Sequence, residues 1–376
     1  MTEVLGECDT RFGAVREALG ESLAKDDVGA SAAVFVDGEP VVDIWGGYAD
    51  AARTIRWQQD TIACVFSVTK TMLALCALIL ADRGDMDLGA PVASYWPEFG
   101  AAGKGGVLVR HVLGHTAGVP DFAGPVSAAD LYDWQAVTSR LAAQAPEWEP
   151  GTQAGYHSLT QGFVVGEVIR RVTGRPVGAF FADEVARPLK ADFHMGLPAE
   201  HDSRVAPMIA PLSSPSGDWV ASAPQSAGQE RGTAPGAEAG AGIRVSDANS
   251  EAWRRAQIPA ASGFGNARSV AAVQSVLACA GTVRGTRLMS PAGCDMARSE
   301  QFRGVDKIIG APMRWGIGYG IFDRDVVGWG GWGGSMVMVD LDARMVVSYV
   351  MNQMLEPSEE TYRGLAIVLA AYEGLR

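Results

Sequence analysis

Two serines in this 376-residue chain stand three positions before a lysine, in Ser67-Val68-Thr69-Lys70 and in Ser22-Leu23-Ala24-Lys25. Three residues of helix turn the chain by about 300°, so serine and lysine share a face one turn apart and can hydrogen-bond. A serine hydroxyl attacks a carbonyl poorly until a neighbour takes its proton, and a partly desolvated lysine amine can do that. The surroundings separate the two copies. Lys70 leads into Thr71 and then a wholly apolar stretch, so its amine sits at the mouth of a buried helix and must find polar partners there. Lys25 leads into Asp26 and Asp27 at the polar end of an amphipathic pattern, where a solvated surface is expected. A position at a helix start gives Ser67 a backbone N–H and the positive end of the helix dipole, both favourable to developing negative charge. The plain alternative is that Ser67 only caps the helix.

Two more segments could join Ser67. Tyr156-His157-Ser158 contains the only one of eight tyrosines that has Asn or Ser two residues later. Gly328-Trp329-Gly330-Gly331-Trp332-Gly333-Gly334-Ser335 is glycine-rich and precedes a strand pattern, so a substrate could lie along it without meeting Cβ atoms. Taken singly, the first also fits a packed aromatic and the second a strand lying close against a helix. A phosphate loop is not expected, because no lysine and helix start follow the glycines. The G-x-S-x-G elbow of α/β-hydrolases is absent.

In these three segments the chain resembles the serine β-lactamase and penicillin-binding-protein superfamily, specifically its class C branch and the family VIII carboxylesterases. The order of the segments matches too, and so do Phe66-Ser67-Val68-Thr69-Lys70-Thr71, Val112-Leu113-Gly114-His115-Thr116-Ala117-Gly118 and Ile258-Pro259-Ala260-Ala261-Ser262-Gly263-Phe264-Gly265-Asn266. The resemblance implies a carboxylesterase that hydrolyses short-chain acyl esters through a Ser67 acyl-enzyme. Lys70 and Tyr156 would share the proton transfers, and the backbone N–H groups of Ser67 and Trp332 would form the oxyanion hole. Substrate would be bound by Ser158, Trp329, Gly330 and Gly331, with no cofactor or metal. A β-lactamase, a D-alanyl peptidase or an acyltransferase would use the same machinery. Two departures favour the esterase: Ser158 replaces the lactamase Asn, and Trp329 replaces the Lys that pairs with a β-lactam carboxylate, offering an apolar wall instead.

The remaining reactive residues read as structural. The five histidines, His111, His115, His157, His194 and His201, show no metal-ligand spacing. His115 is expected to shape a loop near the cleft, and His157 to point away from it. The five cysteines, Cys8, Cys64, Cys76, Cys279 and Cys294, are odd in number and lack C-x-x-C spacing, so free thiols in a reducing compartment are expected.

The elements that must position these groups fit an α+β fold. Apolar residues make up 48% of the chain and charged residues 20%, ample for a globular core. A net charge of −12 argues against nucleic-acid or anionic-membrane partners, and the apolar run at 71–81 falls well short of the roughly 20 residues that span a bilayer. With acidic residues near the N-terminus instead of a signal sequence, a cytoplasmic enzyme acting on a small-molecule ester is expected, its oligomeric state open. Periodicity predicts helices at 12–23, 67–83 (closed by Gly84) and 358–373, and strands at 31–36, 40–45, 336–339 and 345–351. Asp37-Gly38-Glu39 marks a hairpin between the first two strands. The expected architecture is class C β-lactamase-like: an antiparallel sheet flanked by helices from residues 1–85 and 256–376, and a mostly helical domain at 86–255. A lid-like loop is expected at 213–242, where Ser, Gly, Ala and Pro dominate.

Overall fold

A computed structural model describes residues 3–211, 242–356 and 360–376, so the expected loop at 213–242 lies, apart from Gly242, outside the described residues. Strands β1 (Val4–Cys8), β2 (Gly29–Val36), β3 (Glu39–Gly47), β4 (Phe302–Val305), β5 (Pro312–Trp315), β6 (Gly320–Ile321), β7 (Val326–Gly330), β8 (Met336–Asp340) and β9 (Met345–Met351) form one antiparallel sheet. Their order is β1-β3-β2-β9-β8-β7-β6-β5-β4, so the two ends of the chain meet where β2 pairs with β9. The β2–β3 turn has positive φ at both Asp37 (53°) and Gly38 (80°), which is why an Asp-Gly pair serves there.

Both faces of the central strands are covered, which explains their nearly unbroken apolar character. On β9, Ser348 Oγ donates to Ala267 O at the start of a helix at Ala267–Ala278, while the next residue, Tyr349, donates to Asp27 on the other face. Helices α1 (Gly13–Lys25) and α2 (Thr69–Asp82) follow β1 and the hairpin; α3 (Thr160–Thr173) lies in the middle of the chain, and α4 (Glu360–Glu373) closes it. α1 packs with α4 over the Tyr349 face. α2 is buried from Thr69 to Leu80 and packs against α3, so its apolar run is an interior helix that links the sheet to the helical block.

Two expectations need correction, and one strand lies beyond them. The helix predicted at 67–83 begins with a 3₁₀ turn, Phe66–Val68, and Ser67 sits in that turn before α2 starts. β1 was not predicted; its burial does not alternate, and it survives as an edge strand whose Val4 and Gly6 carbonyls accept from Arg16. Ser22 is not on a solvated surface. It is 8% exposed and donates to Asp27 Oδ2 at 2.5 Å, because Asp27 turns inward to meet Arg363.

Candidate active site

The 3₁₀ turn leaves Ser67 partly exposed and places its Oγ 3.0 Å from Lys70 Nζ. Lys70 is only 2% exposed, and its amine also donates to Ser158 O at 2.6 Å and to Ala260 O at 3.0 Å. None of these hydrogen-bond partners is a carboxylate. Burial therefore pushes the Lys70 pKa well below its ordinary value, since no carboxylate among these partners offsets the lost hydration of an ammonium. Ser158 is exposed, and its backbone carbonyl, rather than its hydroxyl, meets the lysine.

Tyr156 completes the cluster. Its ring lies 4.8 Å from Lys70 Nζ, and the ring stacks at 5.9 Å on Trp315 and tilts against Trp329 at 5.2 Å. Trp329 does more than supply an apolar wall: its indole Nε1–H donates to Tyr156 Oη at 3.0 Å. Sequence reasoning missed that role. It also missed Asp306, which is fully buried and accepts from the backbone N–H groups of Tyr156, Ile308 and Ile309 on Oδ1, and from Trp315 Nε1 on Oδ2. One carboxylate thus fixes Tyr156 and the ring stacked on it, and no pattern around Asp306 signalled this.

The histidines support the cluster from behind. His115 takes a positive φ of 59°, packs its ring 4.9 Å from Tyr156, and accepts the His157 backbone N–H on Nδ1. His157 accepts from Val119 N–H on Nε2 and lies 2.6 Å from Gly155 O through Nδ1, which fixes the neutral Nδ1–H form and ties both ring nitrogens to the backbone. Burial pushes His157 down to about 4 and His115 well below 6.5, so both are neutral at physiological pH.

The glycine-rich segment passes close to the nucleophile turn. A Cβ on Gly331 would lie 2.2 Å from Val65 O, so only glycine permits the approach. Ser335 Oγ donates to the same carbonyl at 3.1 Å, and the Trp332 ring meets Phe66 edge-on at 5.1 Å. Gly330 ends β7 and leads directly into this contact. The structure therefore brings Ser67, Lys70, Tyr156, Ser158, Trp329, Gly330, Gly331 and Trp332 around one locus. Among the described residues no group of three or more His, Cys, Asp or Glu is arranged to hold a metal ion.

A sheet closed by both chain ends, an interior helix starting beside a serine–lysine pair, and a glycine strand laid across that start define the serine β-lactamase and penicillin-binding-protein fold. The β-lactamase family model matches residues 15–372, and the chain belongs to that family. It is 35% identical over 369 residues to the esterase/beta-lactamase LipL of Mycobacterium tuberculosis, covering 94% of this chain and 84% of that protein. Among solved structures it is similar to a family VIII carboxylesterase, with TM-score 0.88 and 38% identity over 99% of this chain and 100% of that one. A penicillin-binding-protein homologue from Caulobacter crescentus matches with TM-score 0.87 and 32% identity, again over 99% and 100% of the two chains.

Proposed function

We propose that the chain is a serine hydrolase of the esterase type, and that Ser67 carries the acyl group. The single observation behind this reading is the set of partners around the Lys70 amine. A neutral amine has two N–H bonds and one lone pair. Ser158 O and Ala260 O can only accept, so they take the two N–H bonds, and the lone pair is left for the Ser67 hydroxyl. Burial lowers the Lys70 pKa, which favours the neutral amine over the ammonium relative to an exposed lysine.

In the proposed cycle Ser67 Oγ attacks the ester carbonyl as its proton moves to Lys70, and the oxyanion is met by the backbone N–H groups of Ser67 and Trp332. Tyr156 Oη, which accepts from Trp329, gives its proton to the departing alcohol and, as the phenolate, takes one from the water that attacks the acyl-enzyme, while Lys70 returns the first proton to Ser67 Oγ. Bulky Trp329 and Trp332 beside the oxyanion position suit short acyl chains. A small-molecule ester is the partner this site fits, and five free thiols suit the cytoplasm.

A β-lactam would find no cation at Trp329 for its carboxylate, and the missing charge-assisted hydrogen bond is worth about 1.5–3 kcal/mol, or roughly 10- to 150-fold in binding. The test compares kcat/KM on p-nitrophenyl esters of increasing acyl length with kcat/KM on a chromogenic cephalosporin, using one preparation. Activity should peak at short acyl chains and be slow or absent on the cephalosporin. Efficient cephalosporin hydrolysis that disappears in Ser67→Ala would replace the esterase reading with the lactamase one.

A further inference from the structure

The segment that carries Trp332 ends in two consecutive glycines, Gly333 with φ 87° and Gly334 with φ 127°. Such residues have wide conformational freedom, so the turn needs restraint from outside. On one side Gly331 N–H donates to Ser335 O at 2.6 Å. On the other, the Gly333 carbonyl accepts from Leu355 N–H at 3.2 Å and from Arg363 Nη2 at 2.9 Å. Arg363 comes from α4, and its Nη2 also donates to Gln353 O at 2.9 Å while Nη1 pairs with Asp27 Oδ1 at 2.5 Å. Both side chains of this ion pair are 0% exposed. Asp27 Oδ2 accepts in turn from Ser22 and Tyr349, each at 2.5 Å.

An ion pair this deep is a poor way to gain stability, because well-packed apolar residues in its place often do as well or better. Apolar residues could not, however, donate to Gly333 O. The guanidinium is even oriented so that its buried Nε has no hydrogen-bond partner among the described residues, while Nη1 and Nη2 reach the carboxylate and both carbonyls. We infer that the Asp27 and Arg363 pair is a positioning device for the oxyanion hole, in which Arg363 anchors the carbonyl one residue beyond Trp332 and so sets the direction of the Trp332 N–H. Asp27, held by Ser22 and Tyr349, sets Arg363. The inference rests on the reading of Ser67 and Trp332 as the oxyanion donors.

A donor aimed at the oxyanion acts on the transition state, so loosening it lowers kcat more than it raises KM. The test uses Arg363→Lys, whose single ammonium cannot span the same three acceptors, and the double variant Asp27→Leu with Arg363→Met, which removes both charges together and avoids stranding one of them. Folded sites are counted by a serine-directed phosphonate, and kcat for a p-nitrophenyl ester is expressed per labelled site. We expect kcat per site to fall about 10- to 100-fold in both variants with KM changed by less than about threefold. The inhibition constant of phenylboronic acid, a tetrahedral mimic, should rise by the same factor as kcat falls. A merely structural pair would reduce the number of labelled sites and leave kcat per site and boronate affinity at wild-type values, and that result in either folded variant would overturn the inference. Failure of the phosphonate to label Ser67 in the wild-type protein would instead overturn the underlying reading, and it shows before any variant is compared.

Discussion

Ser22 with Lys25 and Ser67 with Lys70 share the same spacing, and each lies in helical backbone. Lys25 points outward into water, its side chain 69% exposed and 3.8 Å from Glu21. Ser22 spends its hydroxyl on Asp27, inside the buried network that ends at Gly333. Lys70 is enclosed, has carbonyls for neighbours, and faces a partly exposed serine. The difference teaches that spacing alone carries no chemistry. What matters is which lysine loses its water without gaining a carboxylate, and whether the serine proton is already committed.

The largest effect that would sharpen this comparison is on turnover. Ser67→Ala should lower kcat on a short-chain p-nitrophenyl ester by at least about 10⁴-fold, as loss of a nucleophile does elsewhere. Ser22→Ala, which removes only one of the two hydroxyls that hold Asp27, should lower kcat per folded molecule far less than Ser67→Ala does. Comparable losses in both variants would break the distinction. Next, Lys70→Met should cost about 10²- to 10⁴-fold in kcat/KM, the range for general-base loss. In the wild-type enzyme, kcat/KM for an uncharged ester should rise with pH as the Lys70 amine deprotonates and level off well below 10.5, since the folded pKa is depressed. An acid limb at the usual imidazole value is not expected, because His115 and His157 are held neutral.

A smaller effect tests the aromatic side of the site. Trp329→Phe keeps a wall but removes the N–H that meets Tyr156 Oη, and one such hydrogen bond contributes about 1 kcal/mol, so kcat should fall roughly fivefold to tenfold. An unchanged kcat would return Trp329 to the role of wall alone. On stability rather than turnover, the effect belongs to the other motif: Ser22→Ala should lower unfolding free energy by about 1–3 kcal/mol, since it leaves a buried carboxylate short of a donor. Chemical denaturation measures it, and a loss near zero would mean Asp27 is satisfied by Tyr349 and Arg363.

What the sequence disclosed and what it concealed divide along physical lines. The apolar run after Lys70, the Asp37-Gly38 turn and the β-rich stretch at Met345–Met351 are local patterns, and each became the element expected. The short strands β4 to β6 and the edge strand β1 have too few alternating residues to show a period. Asp306 lies 150 positions from Tyr156, and Asp27 lies 336 positions from Arg363, so their partners exist only after folding. Trp329 shows the limit at a single residue. Its type announces both an apolar ring and an N–H, but only the fold decides which edge Tyr156 meets.

The most direct test of the account is peptide mass spectrometry after exposure of the wild-type chain to a serine-directed phosphonate. The account predicts one adduct on Ser67, none on Ser22, and slow labelling when Lys70 is replaced by Met. An adduct on Ser22, or none on Ser67 in active enzyme, would contradict it.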